Sequence, residues 1–164
     1  MFGDKFATRL NSFSSKPEIF WENSIPPLDP KRLVERAGTV KGLTDLDLNF
    51  PDHAGKDLKG ILNSVKDNGL EINGFAMRYY TNPSFKLGAF TNPDKKVRQE
   101  AIDLTKKGID AARESNSNLM TIWLGQDGYD YGFQVDYKKI WQDEIDGIRE
   151  VALHDIDCQI SIEY

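Results

Sequence analysis

Leu119-Met-Thr-Ile-Trp-Leu124 is apolar almost throughout, and it is short. A run of that length covered on both faces reads as an interior strand of a parallel sheet. The sequence on either side decides the fold. Before it, Asn92-Pro93 carries a helix start signal, an amide able to cap free N–H groups followed by a proline suited to the first turn. Val97, Ala101, Leu104, Gly108 and Ala112 then recur as one helical stripe. After it, a helix is predicted over about 136–153, with Tyr137, Ile140, Trp141, Ile145, Ile148 and Ala152 on one side. Helix, strand, helix is one turn of a βαβ chain.

Working outward, the same alternation covers the whole sequence. In 55–68, Leu58, Ile61, Leu62 and Val65 fall at i, i+3, i+4 and i+7, and Gly69 follows where a left-handed residue suits a helix end. Asp29-Pro30 starts a shorter helix through Leu33, Val34 and Ala37, ending at Gly38. Further strands are expected at 5–10, 43–50, 70–79 and 157–164; the last contains the β-branched run Ile160-Ser-Ile162 and is expected to be covered on both faces. Five strands and four helices in alternation predict an α/β fold with sequential parallel strands and right-handed crossovers. The strands are followed by the loops 11–28, 51–54, 80–91 and 126–135. These hold much of the aromatic, amide and histidine content, and in such folds the loops at the strand C-terminal ends build the site. The chain stops at Tyr164 inside a predicted strand, so residues 1–164 are expected to be one portion of a larger domain.

Composition narrows the function classes. The 164 residues carry 26 acidic and 21 basic side chains, a net charge of −5, which disfavours a bulk phosphate-binding surface for nucleic acid. No apolar run approaches the roughly 20 residues of a membrane helix. One cysteine, Cys158, excludes an intrachain disulfide framework, and a reducing cytoplasmic location is the default expectation. Nucleotide-binding glycine motifs, HExxH and GxSxG are absent, and the segment 125–132, with its aspartates and tyrosines, is a poor phosphate cradle.

The candidate site residues cluster at the predicted strand ends. In Asn49-Phe-Pro-Asp-His53, Asn49 and His53 suit hydrogen bonding to a substrate, with His53 moving protons beside an orienting carboxylate; an ordinary Pro-Asp turn with an exposed histidine is the competing reading. Trp123 with Gln126 and Asp127 suits an aromatic wall with an amide and a carboxylate for sugar hydroxyls, or a buried tryptophan before a turn. Arg78, flanked by Tyr79 and Tyr80, is either a site arginine or the partner of a surface acid. Glu163, at the end of the last strand, needs a cation or a hydrogen-bond network if buried, and a hard divalent metal is one such cation; if exposed it needs nothing.

Taken together, Leu46-Asp-Leu-Asn-Phe-Pro-Asp-His53, Gly88-Ala-Phe-Thr-Asn-Pro-Asp94, Thr121-Ile-Trp-Leu-Gly-Gln-Asp-Gly-Tyr-Asp-Tyr131 and Ser161-Ile-Glu-Tyr164 resemble the N-terminal half of xylose-isomerase-like TIM-barrel proteins, the sugar isomerase/epimerase superfamily. The resemblance implies a partial (β/α)8 barrel of about five strands. It also implies a divalent metal, Mn²⁺ or Mg²⁺, at the C-terminal face of the complete protein, with Glu163 as the first of its ligands. Three of the four expected ligands would lie beyond Tyr164, so this chain alone is expected to hold no metal. Trp123 would line the sugar pocket, and Asn49 or His53 would occupy the polar position of the second strand. The implied partners are a monosaccharide and either further copies of the chain or the remainder of the barrel; nucleic acid and membrane are not among them. The implied chemistry is metal-assisted proton or hydride transfer between adjacent sugar carbons. The alternatives are a lyase or deglycosidase on the same scaffold, and a non-catalytic half-barrel that binds or assembles without turnover.

Overall fold

The computed structural model describes residues 4–21 and 29–163. Five strands, β1 (Ala7–Arg9), β2 (Asp45–Phe50), β3 (Glu71–Met77), β4 (Leu119–Trp123) and β5 (Gln159–Glu163), form one sheet in sequential order, every pair parallel. The helices are a short α1 (Pro17–Phe20), α2 (Pro30–Gly38), α3 (Leu58–Asp67), α4 (Lys95–Glu114) and α5 (Tyr137–His154). The α/β architecture with five sequential parallel strands, expected from the alternation of periods, is present. The part of the first predicted loop at residues 22–28, and Tyr164 of the last predicted strand, lie outside the described residues.

The core sits between the sheet and its helices. Strand alternation sends Leu46, Leu48 and Phe50 from β2, Phe75 and Met77 from β3, and Met120 and Ile122 from β4 to the helical side. There they meet Val34, Ile61, Val65, Ala101, Ile109, Ala112 and Val151, and all of these residues are buried. The opposite set, Asp47, Asn49, Gly74, Ala76, Thr121, Trp123, Ser161 and Glu163, faces the concave side. The sheet curls toward that side so far that Arg9 on β1 forms an ion pair with Glu163 on β5.

Several expectations need correction. β4 alternates between buried and half-exposed residues, and β5 is largely exposed, with Ile162 52% accessible. Both were expected to be covered on two faces; among the described residues the concave face of β4 is only partly covered, and β5 lies open. The α5 stripe splits for the same reason. Ile140 and Ile148 are half-buried, but Trp141 and Ile145 are exposed beside β5, and the helix packs instead through Gly147 and Val151. On α4 the buried stripe turns toward Ile102, Thr105 and Ile109, because Thr105 pairs with the Tyr79 hydroxyl at 2.6 Å. Gly108 permits close approach of Met77 and Met120.

The start of α4 also differs. Its N-cap is Asp94, whose carboxylate accepts from the Lys96 N–H at 2.8 Å, while Asn92 is buried and accepts from the Asp94 N–H at 3.0 Å. Asn92-Pro93 therefore forms the turn before the cap. Asp29 caps α2 as expected, accepting from the Lys31 N–H, and Gly69 has the left-handed φ of +71°. Asp94→Ala is expected to destabilise the fold by about 1 kcal/mol in urea unfolding; an unchanged midpoint and slope would return the cap to Asn92.

Candidate active site

Every candidate residue lies at or just beyond the C-terminal end of its strand, which parallel pairing brings to one rim of the sheet. On β2 the chain turns back after Phe50. The Asn49 N–H donates to His53 Nδ1 at 3.0 Å, and the His53 N–H donates to the Asn49 carbonyl at 2.9 Å. The imidazole is therefore oriented by backbone, not by the carboxylate expected from the sequence. The nearby Asp52 carboxylate accepts from the Thr81 hydroxyl instead. Because Nδ1 accepts, the neutral ring carries its proton on Nε2. Burial, with the Arg78 guanidinium nearby, pushes the imidazole down to about 4. Asn49 itself is 4% exposed, and its Oδ1 has no hydrogen-bond partner among the described residues.

β3 ends by dividing its aromatic pair. Tyr79 points into the α4 interface, where burial raises its hydroxyl pKa. Arg78 faces the other way and is 5% exposed. It is neither a surface residue nor paired with an acid among the described residues. Its guanidinium lies 5.4 Å from the Tyr80 ring centre and 5.6 Å from that of Trp123, and those two rings meet nearly perpendicular at 5.1 Å. Trp123 pairs in register with Glu163 across β4 and β5. The half-exposed Glu163 carboxylate is engaged by Arg9. Gln126 is exposed and borders the small cleft beside Tyr80 and Trp123.

A second cleft, of about 290 Å³, opens where Trp123 and Glu163 meet Tyr137, Trp141 and Glu144 of α5. Burial raises the Glu144 pKa, with a smaller push from Asp127. The Asp127 carboxylate accepts from the Ala89 N–H, the Thr91 N–H and the Thr91 hydroxyl at 2.7–2.8 Å. It thus ties the loop after β3 to the loop after β4 and sets the height of the rim around Trp123.

Arg78, Tyr80, Trp123 and the Asn49–His53 turn are brought together, and Glu163 stands beside Trp123. Sequence reading missed Arg9, and it offered the Asp127 carboxylate to sugar hydroxyls where the structure gives it to Ala89 and Thr91. Arg9 ends a strand too short to show alternation, and the tie from Asp127 to a loop 36 residues away leaves no local signal. Among the described residues no three Asp, Glu, His or Cys side chains gather as a metal site. With its one candidate carboxylate held by a guanidinium, this donor set does not fit a divalent cation, which wants several oxygens.

No protein-family model matches the chain. A curated relative, xylose isomerase from Thermus thermophilus, is 26% identical over 131 residues, which is 75% of this chain and 33% of the relative. D-psicose 3-epimerase from Clostridium cellulolyticum H10, solved with D-tagatose, superposes with a TM-score of 0.64 at 18% identity, over 97% of this chain and 51% of its own. An L-ribulose 3-epimerase gives 0.64 at 16% identity, over 98% and 49%. At these identities the structures speak for the fold. The chain thus shares the TIM-barrel fold of xylose-isomerase-like proteins over about half a barrel and is similar in sequence to one of them, in line with the resemblance read from the sequence. The chain spans about a third of the curated relative and about half of each solved barrel.

Two outcomes are expected. The first concerns pH. His53 is neutral when folded and titrates near 6.5 when unfolded, so its share of stability is present above about pH 6.5. That share is lost as pH falls through 4, at about 3 kcal/mol in total. The unfolding free energy of wild type should therefore fall by about that much more than that of His53→Gln between pH 7 and pH 4. A constant gap would mean a solvated ring. The second concerns Asp127→Ala, expected to destabilise by about 2–3 kcal/mol through two orphaned N–H groups. Loss of amide protection at Ala89 and Thr91 in hydrogen exchange checks it.

Proposed function

We propose that the complete protein is a sugar isomerase or epimerase acting in the cytoplasm on a monosaccharide, with this chain as the N-terminal portion of its TIM barrel. The observation that carries the reading is the shared rim on which Arg78, Tyr80, Trp123 and the Asn49–His53 turn meet at the ends of parallel strands. An aromatic corner suits the C–H face of a sugar ring. Asn49 Oδ1 is a free acceptor for a hydroxyl. His53 Nε2–H is a fixed donor, suited to polarising a carbonyl or an oxyanion more than to taking up a proton at neutral pH. Gln126 extends the polar rim. Glu163 is the carboxylate nearest Trp123 in register and the candidate to accept a proton or, in the complete protein, to join further groups around a divalent metal.

The metal would supply Lewis-acid polarisation of the sugar oxygens. The described residues do not by themselves hold it, and no step is assigned to it. A second reading is a half-barrel that binds sugar without turnover. We propose, too, that the apolar flank of Trp141, Ile145 and Ile162 is covered by the remainder of the barrel or by a second copy.

The test is Glu163→Gln and Trp123→Ala in the complete protein, with metal content and conversion of a panel of aldoses and ketoses measured together. Glu163→Gln is expected to lower both metal occupancy and turnover by at least tenfold, and Trp123→Ala to raise KM by about tenfold, the equivalent of one lost aromatic contact. Unchanged occupancy and turnover in Glu163→Gln remove that residue from the site. For the assembly proposal, the 164-residue chain is expected to self-associate in gel filtration; a dilute monomer with sharp cooperative melting would contradict it.

A further inference from the structure

Arg78 is a cationic side chain buried with no counter-ion among the described residues. It is 5% exposed, its Nε is buried with no hydrogen-bond partner, and no described carboxylate forms an ion pair with it. Glu100 and Asp103 of α4 line a cleft with Arg78 but form no ion pair with it, and the acids of the adjoining strands and turns are engaged elsewhere. Asp47 accepts from the Asn73 amide at 2.7 Å, Asp52 accepts from the Thr81 hydroxyl at 3.1 Å, and Glu163 is held by Arg9. His53 is neutral and compensates nothing. A guanidinium has five N–H donors and no acceptor. Tyr80 and Trp123 offer it the negative faces of their rings, which eases desolvation but accepts none of its hydrogen bonds in the fork geometry. Burying such a group unpaired destabilises the fold, and a site with this cost is where a ligand is expected to complete the pairing.

We infer that Arg78 is the oxyanion subsite of the substrate pocket, so that the substrate is an acidic or phosphorylated sugar. This rests on the sugar-binding reading above and narrows it. The geometry selects the anion. With Nε the orphaned donor and the ring planes of Tyr80 and Trp123 restricting the guanidinium, a carboxylate or phosphate meets Nε–H and one Nη–H side by side, the two-bond arrangement arginine makes with planar or tetrahedral oxyanions. The free Asn49 Oδ1, on the adjacent strand, then takes a hydroxyl of the same molecule. A neutral sugar satisfies Asn49 and leaves Arg78 as it was; an inorganic anion does the reverse. An acidic sugar satisfies both. The chain's net charge of −5 makes the point sharper, since a surface of that sign repels anions and a local cation is needed to hold one.

The experiment is a titration of the ¹⁵N-labelled 164-residue chain, followed at the arginine Nε–Hε resonances, with the Arg78 signal identified by its absence in Arg78→Lys. The probes are inorganic phosphate, D-gluconate and D-fructose, each at constant ionic strength against sodium chloride. The expected result is a saturable shift of the Arg78 resonance with phosphate or gluconate and none with chloride. Phosphate alone marks a phosphorylated sugar, gluconate alone a sugar acid. Followed by isothermal titration calorimetry, which needs no Arg78 signal, Arg78→Gln and Arg78→Lys should weaken anion binding at least tenfold, as loss of a charge-assisted pair requires. Lysine keeps the charge but not the fork, so equal binding in Arg78→Lys would overturn the subsite. So would the absence of any saturable shift with both anions in wild type, a result that needs no variant to fold. The two proposals fail separately. Conversion of neutral sugars by the complete protein without anion binding leaves the isomerase reading and removes the subsite. Phosphate binding with no sugar converted leaves the subsite and removes the isomerase.

Discussion

The curl of the five-stranded sheet is the constraint on which the remainder depends. Laid flat, β1 and β5 would stand about 19 Å apart, four strand spacings, and Arg9 would not reach Glu163. That they form an ion pair measures how far the sheet has rolled. The pair does not cause the roll. Both side chains are partly exposed, and such pairs contribute at most about 1 kcal/mol. The cause is one-sided burial. Leu46, Leu48, Phe75, Met77, Met120 and Ile122 all face the helices, and packing α2–α5 on a single face of a right-twisted sheet bends it away from them.

The roll converts a polar strand face into a concave one. Residues that would point into water on a flat sheet converge, and their environments begin to act on one another. His53 loses its charge because the turn buries it near Arg78. Arg78 stays charged because arginine has no accessible neutral form, and it settles against two rings instead of an acid. The site is thus electrostatically uneven: a neutral, backbone-held imidazole beside an uncompensated guanidinium, with the carboxylate at the far strand already taken.

The same geometry accounts for what is exposed. Ile162 on β5 and Trp141 and Ile145 on α5 are exposed large apolar side chains. No three ligating side chains gather among the described residues.

What the sequence determined by itself is the order and direction of the elements. Period-2 and period-3.6 runs alternate without interruption, Asp29-Pro30 and Gly69 mark real helix boundaries, and strand ends carry the candidate residues, because these are local properties written in neighbouring positions. What the tertiary structure alone decided is partnership. Asn49 and His53 were legible as a polar pair, but not that a backbone N–H, and not a carboxylate, would hold the ring. Trp123 was legible as a wall, while its contact with Arg78 depends on the register of β3 against β4. Arg9 and Glu163 lie at opposite ends of the chain, and only the roll of the sheet brings them together. Burial on α5 and β5 was misjudged for the converse reason: periodicity shows which residues share a face, and whether that face is covered depends on what else the fold places there.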